Sequence, residues 1–303
     1  MDSDQAARFK EIRRILLFTL ALNWAVAIAK IAYGLITRFT SMTADGFHSL
    51  SDGASNIIGL IGVTLACRPA DKYHPYGYKK YETLFALGIA GLLFLACFEL
   101  ASKAIERFHH PINPKIDIGS LIVTLGTMAV NIFVMSYEYK QGKRLNSDIL
   151  VSDSAHTKAD IFTSLSVIAA MIVIKMGYPI LDPIVTFMIA LFIAYTAFSI
   201  ARQSSNILCD AIMLDDKRVA NVVLSIKGVE ACHKIRTRGR IDDIHIDLHV
   251  QVNPDMRVDK AHQISYQIEN AVKGGIHGVT DVVVHIEPQK KIGELNKCVK
   301  YGG

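Results

Sequence analysis

The chain has 303 residues, 51% of them hydrophobic, and its mean hydropathy of +0.29 is high for a soluble protein. The formal net charge of +5 is modest, and the basic residues do not cluster as a nucleic-acid-binding surface requires. The sequence contains no P-loop and no GxGxxG motif, so we expect neither a nucleotide nor an organic cofactor.

Six apolar segments are long enough to cross a bilayer core of about 30 Å. The six spans are predicted at 15–37, 41–66, 82–103, 118–139, 148–175 and 178–201. They form an all-α transmembrane domain over 15–202, preceded by a polar arm, 1–14. Basic residues are enriched in this arm and in the loops after the second and fourth spans, which places both termini in the cytoplasm. The short loops and the lack of a targeting extension favour a bacterial inner membrane.

The pattern changes after residue 202, where the long apolar blocks stop. Amphipathic helices are predicted at 215–226 and 258–273, and strands at 229–238, 243–252 and 279–286. The order α-β-β-α-β indicates a small α+β domain over 203–288. A charged segment without periodicity, 289–303, is interpreted as a flexible tail.

Ionisable residues within two of the spans are candidates for function, because a charge deep in a membrane is costly unless it is paired or hydrated. Spans two and five both contain the pattern D-x-x-H-x-x-x-D, whose members share one helix face. The six residues are Asp45, His48 and Asp52 in span two, and Asp153, His156 and Asp160 in span five.

Each span offers a histidine and an aspartate one helical turn apart. Two imidazoles and two carboxylates make a tetrahedral set for Zn²⁺, and the set comprises His48, Asp52, His156 and Asp160. The nitrogen ligands argue against Mg²⁺ and Ca²⁺, which prefer oxygen. Asp45 and Asp153 are interpreted as partners that hold the imidazoles, as charges at helix starts, or as alternate ligands.

Five segments carry a resemblance to a known family across nearly the whole chain. They are HSLSD (48–52), PADKYHPYGYKKYE (69–82), HTKAD (156–160), GVEACHKIRTR (228–238) and VVVHIEP (282–288). The sequence resembles the cation diffusion facilitator family. This resemblance implies a homodimer in membrane lipid that exports divalent metal from the cytoplasm in exchange for protons, and whose HxxxD pairs look like those of zinc-preferring members.

The loop after span two departs from the family pattern. Members often have D-x-x-H-x-x-x-H there, whereas the matching residues are Asp71, His74 and Tyr78. Tyrosine is a poor ligand for Zn²⁺, so we expect the loop site to be weak or lost. His74 would then only fix the loop by a hydrogen bond.

The last domain resembles the family's metallochaperone-like cytoplasmic module. The resemblance implies regulatory metal ligands at His233, Asp247, His262, His285 and Glu287. His245 and His249 flank Asp247 at period two and could substitute for it. A polar dimer surface is the alternative. Lys80 and Asp210 match a pair that interlocks the two subunits in related proteins.

The predicted activity is proton-coupled antiport by alternating access. Metal binding requires deprotonated ligands, and histidine titrates near neutral pH, so protons can replace the metal. An exporter of Fe²⁺, Mn²⁺, Co²⁺ or Cd²⁺ in the same family is one alternative, and a non-transporting metal-sensing membrane scaffold is another. The sequence contains no HExxH motif, so we do not expect an enzyme.

Overall fold

The structure is a computed structural model that divides into two compact units, Met1–Ser205 and Asn206–Gly303. It describes residues 3–36, 43, 46–47, 49–50, 53–109, 118–175 and 181–289.

Six long or apolar helices make up the described part of the membrane region. They are α1 (Ser3–Ile36), α2 (Ala54–Ala66), α3 (Lys80–His109), α4 (Ile118–Arg144), α5 (Asp148–Lys175) and α6 (Leu181–Leu208). Of the described helices, α1, α3, α4 and α6 are long and apolar enough to cross a membrane. α2 is a shorter apolar helix, and α5 carries several charges in its first half. A helical transmembrane domain is therefore confirmed.

Large apolar side chains lie on the outside of these helices. Leu95, Phe98, Met188 and Tyr195 are each at least 65% exposed. A soluble protein rarely leaves so many large apolar groups in water, whereas a lipid tail is a suitable neighbour for them. The outer surface is thus consistent with burial in a bilayer.

The predicted polar arm, 1–14, continues directly into the first helix, since α1 begins at Ser3. Phe9 and Ile12 are buried in an apolar cluster with Ile149 and Leu150 of α5. Apolar residues at helical spacing within a polar stretch explain why the arm is helical.

Close packing of α2 depends on two glycines. A Cβ at Gly59 would collide with Ile149, and one at Gly62 would collide with both Phe85 and Ile149. Small residues let membrane helices approach closely, so Gly59 and Gly62 hold α2 against α3 and α5.

The turn between α4 and α5 is closed by an arginine of α1. Arg8 Nε donates to the carbonyl of Leu145 at 2.7 Å, and Arg8 Nη2 donates to the carbonyl of Asn146 at 2.9 Å. The same guanidinium forms a 3.1 Å ion pair with the fully buried Glu82. These bonds satisfy carbonyls that the end of α4 leaves without helical partners, and they fix the start of α5.

The second unit has the predicted order α-β-β-α-β, which is confirmed. Its elements are α7 (Asp216–Leu224), β1 (Ala231–Arg240), β2 (Asp243–Val252), α8 (Val258–Gly275) and β3 (Val279–Pro288). The sheet order is β1-β2-β3, with β1 antiparallel and β3 parallel to β2. Gly239, at φ 110°, allows the tight β1–β2 hairpin, because a Cβ there would overlap the carbonyl of Asp243.

The two faces of the sheet differ in chemistry. The even-numbered residues of β2 are buried in one core with Ile264, Ile268 and Val272 of α8. The odd-numbered residues, which include His245, Asp247 and His249, therefore point to the opposite face. This alternation places several potential metal ligands on the face that α8 does not cover.

Candidate metal sites

The span-two half of the predicted membrane site, Asp45, His48 and Asp52, lies outside the described residues.

The span-five half lies on α5, where Asp153, His156 and Asp160 occupy one helix face. The side chains of His156 and Asp160 line a small cavity together with Asn23 of α1, Asn131 of α4 and Ser49. The cavity volume is about 20 Å³, enough for roughly one water molecule or ion. His156 is only 6% exposed. A buried imidazole and a carboxylate thus reach a single ion-sized space.

Asp153 lies deeper in a polar network than the sequence indicates. Its Oδ2 accepts a hydrogen bond from Asn56 Nδ2, and Asn56 is held by Asn23 and Thr19. The carboxyl group of Asp153 also contacts that of Glu138. Sequence reasoning missed Glu138, although an acidic residue just inside the end of predicted span four (118–139) is itself a signal for function.

The loop after α2 is organised around Asp71. Asp71 Oδ1 accepts from the backbone amides of Tyr73 and His74, both at 2.8 Å, and Asp71 Oδ2 accepts from the hydroxyl of Tyr78 at 2.7 Å. The bond from Tyr78, followed by the one from the His74 amide, lowers the pKa of Asp71. His74 stacks on Tyr78 with ring centroids 4.0 Å apart. Tyr78 therefore occupies the carboxylate oxygen that a metal would need.

One group of ligands converges on the open face of the sheet. His233, His249 and Glu287 have ligand atoms that all lie within 4.8 Å of one another, and we call these three residues the sheet-face cluster. His249 Nδ1 lies 2.7 Å from Glu287 Oε1, and His233 Nε2 lies 3.3 Å from Glu287 Oε2. The bond from His249, with the charges of His233 and His249, lowers the pKa of Glu287. A divalent ion could replace these contacts.

Strand register explains why these residues meet. His249 pairs with His233 of β1 and with His285 of β3, so three histidines form a row across the sheet. A β-bulge after His233, with Lys234 at φ 50°, ends this row on β1. His285 lies beside the cluster, with its Nε2 3.7 Å from Glu287 Oε1. The sequence-predicted residues His233, His285 and Glu287 thus lie around His249, which is next to all three.

Two predicted ligands of the same chain lie away from the sheet-face cluster. Asp247 is one row away and forms ion pairs with Arg236 at 3.4 Å and Arg238 at 3.6 Å. His262 stands on α8, on the other side of the sheet, and meets the ring of Tyr266 edge to face, with ring centroids 4.7 Å apart. A single chain therefore does not join either residue to the sheet-face cluster.

His245 lies farther along β2, among carboxylates. Its Nε2 is 3.6 Å from Asp243 and its Nδ1 is 3.7 Å from Asp281. The bond with Asp243, together with the charges of Asp243 and Asp281, raises the pKa of His245. This arrangement is an ion-pair group separate from the sheet-face cluster.

The residues of the predicted subunit interlock stand at element ends. Lys80 is the first residue of α3, and Asp210 follows α6 in a left-handed conformation, φ 57°. Their pairing between subunits stays a prediction.

The fold and these clusters define an integral membrane protein with candidate metal ligands in its helices and on the sheet of its second unit. The sequence model described as the cation efflux transmembrane domain matches residues 16–209, and that of the cation efflux protein cytoplasmic domain matches 214–289. The chain therefore belongs to the cation efflux, or cation diffusion facilitator, family of divalent-metal transporters. The match to the family's dimerisation domain supports a homodimer.

Three relatives align with nearly the full chain. An uncharacterized transporter of Methanocaldococcus jannaschii is 29% identical over 288 residues, covering 92% of this chain and 99% of the relative. The manganese efflux system protein MneS of Bacillus subtilis is 25% identical, with coverage of 90% and 94%. The cation-efflux pump FieF of Escherichia fergusonii is 25% identical, with coverage of 91% and 93%.

Proposed function

We propose that the chain exports Zn²⁺ from the cytoplasm in exchange for protons. The observation that carries this proposal is the small buried cavity that His156 and Asp160 line on α5. A metal in this cavity would receive a nitrogen and an oxygen from α5, and a matching pair, His48 and Asp52, from span two. Two nitrogens and two oxygens in tetrahedral order suit Zn²⁺.

Proton coupling follows from the chemistry of the ligands. An imidazolium cannot bind metal, so a proton that arrives on His156 weakens metal binding, and a metal that arrives releases the proton. Histidine changes charge within the range of cellular pH gradients, so a modest gradient can drive the exchange. Alternating access would present the same ligands first to the cytoplasm and then to the opposite side. No organic cofactor and no enzymatic step is required.

The proposed location is a bacterial inner membrane, with both termini in the cytoplasm. The basic N-terminal segment supports this orientation, as do the basic loops after the second and fourth spans. Export then moves metal from the side that carries the sheet-face cluster.

The second candidate is Mn²⁺, and it rests on one relative. MneS, which shares 25% identity with this chain, is a manganese efflux protein. Affinity order alone does not identify the physiological ion, because Zn²⁺ binds most nitrogen and oxygen sites more tightly than Mn²⁺ does.

We also propose a regulatory metal at the sheet-face cluster. His233, His249 and Glu287 already converge within coordination reach, and His285 stands close enough to join them. Loading of this site would report the metal level on the cytoplasmic side.

The test is metal flux in proteoliposomes that hold the purified full chain. Zn²⁺ uptake that accelerates when the interior is acidic, and that exceeds Mn²⁺ uptake at equal concentration, is the expected result. If the uptake rate does not depend on the pH gradient, the proton-coupling proposal is wrong. If Mn²⁺ uptake is faster than Zn²⁺ uptake, the second candidate is favoured.

A further inference from the structure

The acid pair, Glu138 of α4 and Asp153 of α5, is a buried polar feature that the proposed transport site does not use. Glu138 is 0% exposed and Asp153 is 1% exposed. Their carboxyl groups are in contact between the two helices. Two carboxylates in contact, shielded from water, repel each other strongly unless a proton or a metal ion lies between them.

One oxygen of each carboxyl group has no hydrogen-bond donor. Asp153 Oδ2 accepts from Asn56, and Glu138 Oε2 accepts from the hydroxyl of Thr157 at 3.5 Å. Among the described residues, Glu138 Oε1 and Asp153 Oδ1 are buried and meet no hydrogen-bond donor. Buried polar atoms are normally satisfied, so these two oxygens leave room for a partner, which is either a proton or a metal ion.

The remaining surroundings of the acid pair are also oxygen-bearing. Thr19 and Thr157 are at most 4% exposed, and each carries a hydroxyl oxygen next to the acid pair. Asn56 faces Asp153 with its amide nitrogen, because its Oδ1 accepts from Asn23. Carboxylate and hydroxyl oxygens are ligands that hard divalent cations such as Mn²⁺ accept. This donor set differs from the histidine-containing set at His156 and Asp160.

The acid pair is also aligned with His156 along α5. Asp153 is one helical turn before His156 on the same face of α5, on the side of the α4–α5 turn. Three residues of helix separate the two by about 4.5 Å along the axis. An ion that enters from the α4–α5 end would meet the acid pair before it meets His156.

We propose that Glu138 and Asp153 form a second, oxygen-only metal site, at which a divalent ion stops before it passes to the site of His156 and Asp160. This inference rests on the proposed transport function and names a further binding residue, Glu138. It also provides a place where Mn²⁺ can bind without histidine. When a metal ion moves from the acid pair to His156, the next ion takes its place at the acid pair.

The test counts Mn²⁺ bound to the full chain by electron paramagnetic resonance. The background chain carries alanine at His156, Asp160 and His249, which removes ligands from both other sites. We expect it to retain about one Mn²⁺ per chain that depends on the acid pair. Glu138→Gln should remove that ion, and Glu138→Asp should keep it with weaker affinity.

Glu99→Gln is the matched control, because Glu99 pairs with Lys103 at 2.6 Å on α3 and belongs to no proposed site. This control should leave the Mn²⁺ count unchanged. A count that Glu138→Gln leaves unchanged, or a background chain that binds no Mn²⁺, would overturn the proposal.

A second measurement needs no substitution and covers the case in which Glu138→Gln does not fold. A hydrophobic carbodiimide should label Glu138 in the unaltered chain, and saturating Mn²⁺ should protect it, as read by mass spectrometry. Labelling that Mn²⁺ does not change would show that the acid pair shares a proton only. Transport that survives His156→Ala would instead refute the proposed function, whatever the Mn²⁺ count.

Discussion

The ligands on α5 and the sheet-face cluster differ in how far they are removed from water. His156 is 6% exposed, whereas the side chains of His233, His249 and Glu287 are 37%, 25% and 22% exposed. A buried ligand set is costly to leave charged without a cation, which favours exchange of metal for protons there. A partly exposed set is solvated and screened when it is empty, so it can gain or lose metal at smaller cost. This difference is the reason that we propose transport for the first region and sensing for the second.

The two regions also differ in what fixes their geometry. The α5 ligands stand on one continuous helix, and α1 and α4 complete the cavity around them. The sheet-face cluster takes one residue from each of three strands, so it depends on strand register. Ligands on one helix keep a fixed spacing when a metal binds. Ligands from three strands can change their distances slightly to fit ions of different size.

The largest expected effect comes from removing an α5 ligand. Asp160→Ala should reduce Zn²⁺ uptake in proteoliposomes by more than about 100-fold, since even outer partners of metal ligands are worth roughly 10- to 100-fold. Lys158→Met is the matched control on the same helix, because Lys158 lies over the rings of Phe162 and Phe192. Equal uptake by the Asp160→Ala chain and the control chain would end the assignment of transport to α5.

A smaller effect is expected from the sheet-face cluster. His249→Ala should weaken Zn²⁺ binding at this cluster by roughly 10- to 100-fold, because it removes the ligand that joins the row. Isothermal titration of the full chain measures this loss. The transport rate at saturating metal should change little, since the α5 ligands stay intact. His262→Ala, on the other side of the sheet, tests whether a single chain supplies all the ligands: a comparable loss would require its participation from a second subunit.

A metal site could be created in the loop after α2. It would add a set of exposed ligands to compare with the buried ligands of α5. Tyr78→His would break the hydroxyl bond to Asp71 Oδ2 and create the set Asp71, His74 and a second histidine. We expect this chain to bind about one additional Zn²⁺. Equilibrium dialysis against Tyr78→Phe, which loses the bond without adding a ligand, provides the comparison. Equal stoichiometry in the two variants would show that the loop cannot adopt a metal-binding conformation.

The smallest effect concerns pH. The pKa of His245 is raised above its ordinary 6.5 by Asp243 and Asp281, so the folded state holds the proton more tightly than the unfolded state. The resulting stabilisation is complete below that ordinary value and is lost as pH rises through the raised pKa. This stabilisation should not exceed about 1 kcal/mol, because the ion pair is partly exposed to solvent.

Hydrogen exchange of the β2 amides across this pH range measures the effect. His245→Gln should remove the slope, while His277→Gln, a substitution outside the ion-pair group, should retain it. A slope that persists in His245→Gln would assign the pH dependence to other groups.

Much of the fold could be predicted from local patterns. The strand at 243–252 matches β2 at both ends, because its apolar and polar residues alternate without interruption. The first helix was harder to bound, since Phe9 and Ile12 are too few to mark the polar segment 1–14 as helical. The α5 ligands were visible because a charge in an apolar span is conspicuous whatever it contacts.

The membrane helices, the α-β-β-α-β domain and the histidine and aspartate pattern of α5 could be read from residue order alone. Those features follow from residue type and period, which are local properties of the chain. Three contacts became visible only in the folded chain: Glu138 meets Asp153, His249 rather than Asp247 joins His233, and Tyr78 holds Asp71. Helix rotation, strand register and loop closure bring these distant residues together, and no local spacing specifies the three contacts.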